Sequence, residues 1–225
     1  MLPKNKASAR LKEFDRQVEN LLQKGYPQAA GISTTEFFER IKPLRARLGN
    51  VAAGELDIEK GRLPFVIVVK SNFVPVETAM QLVEWAGKKG FTNLYPVKPE
   101  DFQPIADVKI PDGIAYLLVD IDRGKKNLDI APADALKRIQ RANRSPLTID
   151  EGIAVITHYP EFLKKNNCFS LLGSRRGDLR VPALWLSENK PKLGWCWNGN
   201  SHPWLGSASC AKRVGITDQI RLEAA

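Results

Sequence analysis

A chain of 225 residues, 43% hydrophobic and 26% charged, is long enough to bury a core of its own, so neither disulfides nor a metal is needed to hold it folded. Three cysteines exclude a disulfide framework, and no apolar run approaches the ~20 residues of a membrane-spanning helix. The net charge of +9 is concentrated at the ends, with +5 over residues 1–50, −2 over 51–130 and +6 over 131–225; this suits phosphate polyanions or acidic partners, or a merely solvated surface.

In chain order, Met1–Lys6 has no apolar stretch of the secretory kind, which with the reduced thiols predicts a cytoplasmic protein with no membrane partner. Leu11, Phe14, Val18, Leu21 and Leu22 recur at helical spacing, so residues 5–24 are expected to be a helix ended by Gly25 and Pro27. A second helix is expected at about 34–48, capped by Thr34, with Phe37, Phe38, Ile41 and Leu44 inward and Pro43 imposing a kink or an early end. Three glycines within 49–62 mark a linker. The expected organisation is therefore an N-terminal helical segment, 1–50, and a main α+β domain, 63–213.

Pro64–Val69 and Ile114–Val119 are β-branched runs of the kind that form buried strands. Pro75–Gly87 is expected to be helical, and the four prolines of 95–112 argue for irregular chain. A helix is expected at 132–142. Thr148-Ile149-Asp150-Glu151 has the form of a capping box opening another helix, which Pro160 limits. Strands are then expected at 168–172, 181–187 and 192–197. Helices first and a C-terminal antiparallel β-meander last define an α+β fold with a mixed sheet.

All three cysteines, both histidines and four of the five tryptophans lie between His158 and Cys210. Cys168, Cys196, His202 and Cys210 are a candidate metal set, with zinc the cofactor their chemistry suits, although no Cys-x-x-Cys pair is present. A Cys–His nucleophile is a further option, but no Gly-x-Ser-x-Gly elbow is present. Asp120 and Asp122 stand two residues apart at a strand end, where period two would put both carboxylates on one face to hold a divalent cation. Either set would make a metal-dependent hydrolase or transferase. Arg175, Arg176 and Arg180, at the turn between two strands, offer guanidinium forks to an anion, and His202 and Trp204 sit in a polar loop where ligands are met. Lys137, Arg138, Arg141 and Arg144 add a basic strip at helical spacing. Leu193, Trp195 and Trp197 alternate onto one face of a strand, as core or as a stacking surface. These residues support a binding or regulatory domain for an anionic small molecule, a nucleotide-like ligand or a nucleic acid.

Five phrases, Asn167-Cys168-Phe169-Ser170-Leu171-Leu172-Gly173-Ser174-Arg175-Arg176-Gly177-Asp178, Pro191-Lys192-Leu193-Gly194-Trp195-Cys196-Trp197, Ser145-Pro146-Leu147-Thr148, Tyr116-Leu117-Leu118-Val119-Asp120, and the sequence from His202 through Trp204-Leu205-Gly206 to Ser209-Cys210, resemble a bacterial domain-of-unknown-function family over about Tyr26 to Arg213. The resemblance implies a single cytoplasmic domain of bacterial origin. It transfers no catalytic residue, because the family carries no established activity.

Overall fold

The structure is a computed structural model and describes residues 4–50 and 56–216. The opening Met1-Leu2-Pro3 and residues 51–55 of the expected linker lie outside the described residues. Helix α1 (Lys4–Gln23) buries Phe14, Val18 and Leu21 along the expected stripe. Gly25, at a φ of 83°, turns the chain where a side chain would be strained, and Pro27 opens the single turn α2 (Tyr26–Ala29) rather than only ending α1. Ser33, not Thr34, caps α3 (Thr34–Ile41), its Oγ accepting the Glu36 N–H at 3.1 Å. Pro43 breaks the second helix as expected, and α4 (Pro43–Arg47) continues it. Phe37, Ile41 and Leu44 are buried, whereas Phe38 faces outward.

Strand β1 (Arg62–Val69) leads to α5 (Val76–Leu82). The helix expected through Gly87 stops short, because Ala86 and Gly87 both take positive φ and close a tight hairpin, β2 (Glu84–Trp85) and β3 (Lys88–Lys89). There follow β4 (Phe91–Thr92), β5 (Gln103–Pro104), β6 (Ala115–Asp122), α6 (Pro132–Arg141) and β7 (Ser145–Pro146). Helix α7 (Ile149–His158) begins at the expected capping box, with the Thr148 N–H donating to Glu151 Oε2 at 2.8 Å. The chain ends in β8 (Cys168–Ser170), β9 (Ser174–Arg175), β10 (Arg180–Ser187), β11 (Lys190–Trp197), β12 (Leu205–Ser207), β13 (Ser209–Cys210) and β14 (Lys212–Val214).

The fold is α+β, with two principal sheets. One, ordered β1-β6-β13-β7 with β14 also on β6, is antiparallel throughout. The other, ordered β12-β8-β10-β11-β4, contains the expected antiparallel meander β8-β10-β11, with β12 and β4 added in parallel at its edges. Helix α7 is apolar nearly all round, with Ile149, Ile153, Val155 and Ile156 buried, as a helix enclosed by other elements must be. Gly152 lets it close on the second sheet: a Cβ there would stand 2.4 Å from Leu171 Cδ2. One core joins Phe14 and Phe37 of the N-terminal helices to Phe65, Tyr116 and Phe169 of the sheets. Among the described residues no helix is long and apolar enough to cross a membrane.

Candidate functional site

The N-terminal turn of α7 opens onto a cleft of about 520 Å³. Its polar groups include Lys70, Ser71 and Asn72, where the chain leaves β1, Gln103 of β5, and Thr148, Asp150 and Ser174. Phe102, Ile110, Pro75 and Val76 supply apolar wall, and Glu100 stands among the lining residues. A cleft with mainly apolar walls and a few convergent polar groups is the usual form of a small-molecule site.

The polar groups are unequally committed. Ser174 Oγ accepts the Ile149 N–H at 3.0 Å, so the hydroxyl is bound to the helix start. Asp150 Oδ2 accepts the Ser71 N–H at 2.9 Å. Burial pushes the Asp150 carboxyl above the usual carboxylate range, against the opposing pull of the Ser71 hydrogen bonds and the Lys70 charge. Lys70 Nζ donates to the Pro111 carbonyl at 2.9 Å and has no carboxylate at ion-pair distance among the described residues. An ammonium carries three donors, so capacity for a further acceptor remains.

Behind the cleft, residue 151 does a different job. Glu151 is fully buried and receives Arg213 through Nε–Oε1 at 2.5 Å and Nη2–Oε2 at 2.8 Å. Tyr116 adds its hydroxyl to Oε1 at 2.8 Å, while Arg213 also reaches Ser145 Oγ and the Pro146 carbonyl. This fork ties α7 to β6, β7 and β14 and holds the helix start at the cleft.

The ligand-binding residues expected from the sequence divide into separate places. Arg180 lies over the rings of Trp195 at 4.9 Å and Trp197 at 5.3 Å, on one face of the meander, and pairs with Asp178. Strand alternation puts Trp185 on the opposite face, where it meets Trp204, and His202 leans on Trp204 with ring centroids 5.1 Å apart. Arg176 is held by Asp101 and Asp178. Arg175 donates from Nη2 to Asn198 Oδ1 at 3.0 Å and braces the loop that carries His202. Of the stretch rich in cysteine and tryptophan, only Ser174 reaches the large cleft; Gly199 and Ser201 instead line a second groove, against α6.

The metal sets are not assembled. Cys168 is buried in one sheet with its thiol donating to the Lys164 carbonyl at 3.4 Å, and Cys210 is buried in the other. Cys196 stands beside Ser170 Oγ at 3.9 Å, and His202 stacks on its tryptophan. Burial pushes the Cys168 thiol up to about 11 and the Cys210 thiol up to about 12, as expected of thiols packed among core side chains. Asp120 takes a φ of 53°, and its carboxylate is not open to a cation but meets Arg144 at 2.8 Å. Asp122 is held by Arg62 at 2.8 Å and by the Gly124 N–H. Among the described residues no group of three or more His, Cys, Asp or Glu is placed to hold a metal ion. His158 is equally structural: its Nε2–H donates to the Ile67 carbonyl at 3.0 Å, Asn20 donates to Nδ1 at 3.2 Å, and burial lowers its pKa to about 3.

Sequence reasoning missed Lys70, Ser71 and Asp150. The available signals were a polar Lys70-Ser71-Asn72 step directly after an apolar strand, and a carboxylate inside a capping box whose capping role belongs to its neighbour. No curated protein and no solved structure matches the chain. Residues 20–216, which include both sheets, the cleft and the Glu151–Arg213 fork, match the family of unknown function DUF5701, and the chain belongs to that family.

Proposed function

We propose that the protein is a binding domain for a small molecule with an anionic group beside an apolar body, taken in the cleft at the start of α7. The observation that carries this reading is Lys70: a half-buried cation with spare donors, facing a space of about 520 Å³ whose apolar wall includes Phe102 and Ile110. Asp150 favours the same reading, because it is already engaged by Ser71 and its charge is disfavoured by burial. The first turn of α7 adds the positive end of a helix dipole to the same wall.

Thermal shift followed by calorimetry, with a panel of carboxylates, phosphate esters and mononucleotides, tests it. At least one class should stabilise the protein, and Lys70→Ala should weaken that ligand by roughly tenfold to a hundredfold, the worth of a charge-assisted hydrogen bond. No stabilisation by any class at low salt, or unchanged affinity in Lys70→Ala, defeats the reading.

A further inference from the structure

A second surface has a chemistry of its own and does not rest on the cleft. Helix α6 buries Ala135 and Ile139 and turns Lys137, Arg138 and Arg141 outward. These three cations line a groove of about 500 Å³ whose other wall includes Gly199 and Ser201. Lys137 pairs with Asp134 at 3.0 Å, but Arg138 and Arg141 have no carboxylate at ion-pair distance among the described residues. Lys125 and Lys126, exposed on the turn that runs into the groove, have none either. Asp129 and Asp134 are the opposing charges.

The groove is held in shape by the main chain. The Asn198 carbonyl accepts the Ala133 N–H at 3.0 Å, and the His202 carbonyl accepts the Asp129 N–H at 3.0 Å. Arg175 fixes Asn198 through its side chain. Directly after Ser201 of the groove wall, the half-buried His202 ring is tilted by 31° to that of Trp204, with centroids 5.1 Å apart, an aromatic pair next in sequence to a groove that carries Arg138 and Arg141. Free cations that follow a backbone, next to rings on which bases can stack, are the two parts of a single-strand binding surface.

We propose that this groove binds a single-stranded nucleic acid, with Arg138, Arg141 and Lys137 on successive phosphates and the His202–Trp204 pair as a platform for an unpaired base. Fluorescence anisotropy of a labelled short oligonucleotide, titrated over a range of salt, tests it. Three phosphate contacts predict that log K falls with log salt at a slope of about −2. Arg138→Ala and Arg141→Ala should each flatten that slope by about 0.7 and weaken binding uniformly across sequences. His202→Ala should weaken binding by at least about fivefold while leaving the slope unchanged, since stacking releases no counterion. Asp134→Asn should tighten binding. All four side chains are exposed or half-buried, and an unchanged melting temperature verifies the fold of each variant. The proposal is overturned by no binding at low salt, by wild-type affinity in the Arg138→Ala/Arg141→Ala double variant, or by equal affinity for a duplex. Competition by inorganic pyrophosphate at oligonucleotide concentrations overturns it too, by marking a small-anion site.

Discussion

Replacing Arg213 with methionine removes the only cation that, among the described residues, touches the buried carboxylate of Glu151. The side chains are 6% and 0% exposed, so water cannot take over. Methionine fills much of the volume but donates nothing, and of its described partners Glu151 keeps the Tyr116 hydroxyl and the Thr148 N–H. Breaking one side of a buried pair costs about 3–5 kcal/mol, because the remaining charge is left uncompensated. Against a total stability of about 5–15 kcal/mol, Arg213→Met should bring the urea midpoint down by roughly a fifth or more. The cost is one of charge rather than of shape. Glu151→Gln added to Arg213→Met should therefore recover most of the loss, and the double-mutant cycle should give a coupling of at least about 2 kcal/mol. Urea denaturation followed by tryptophan fluorescence measures all four proteins. A loss under about 1 kcal/mol in Arg213→Met, or a double variant no more stable than that single one, would refute the assignment of this fork as a buried, mutually dependent pair.

Three further outcomes follow from the packing. Gly124→Ala should destabilise by at least about 2 kcal/mol, because φ is 85° and the new Cβ would stand 2.0 Å from the Ser207 carbonyl oxygen, a backbone atom that cannot swing aside; a midpoint shift within error would show that the β12 contact is loose. His158 has its folded pKa lowered from 6.5 to about 3, so the unfolded chain binds a proton that the folded one refuses, and the contribution of the neutral ring is full above pH 6.5 and drains at about 1.4 kcal/mol per pH unit as the pH falls towards 3. Urea midpoints at several pH values should show a shallower acid loss in His158→Gln than in the wild type, and identical slopes would contradict a buried neutral ring. Burial raises all three thiols, so labelling by a thiol reagent near neutral pH should be slow in the native protein and rapid for three groups in denaturant; three fast thiols in the native state would refute the core placement of the cysteines.

The fold was readable wherever one short-range pattern decided it. The α1 stripe, the Pro43 break and the Thr148–Glu151 box each follow from spacing or from a residue with a fixed backbone habit. The helix expected through Gly87 failed because its apolar residues fit either period, and two positive φ values at Ala86 and Gly87 decided for a hairpin. The candidate site was less readable for a different reason. Cysteines, histidines and tryptophans attract attention by type, yet Cys168 and Cys210 serve as small core groups and His158 as a neutral buried donor. The cleft uses ordinary residues brought together by tertiary contact: Lys70 and Asp150 are 80 positions apart, and neither the polar step after β1 nor the second carboxylate of the capping box points to the other.

Adjacent residues on α7 therefore face different surroundings, one the core and one the cleft. Successive side chains on a helix point about 100° apart, so Glu151 can turn inward to Arg213 while Asp150 turns to the cleft. The same first turn is pinned at Ile149 by Ser174, at Glu151 by Thr148, and through the Glu151 carboxylate by Arg213 and Tyr116. Loosening the fork should consequently reach the cleft without touching it. At temperatures where Arg213→Met remains folded, its affinity for whatever ligand the wild type takes should fall several-fold, with Lys70 and Asp150 unchanged. A variant that is less stable yet binds as tightly would show that Ser174 and Thr148 alone hold the helix start, and would confine the role of the ion pair to the core.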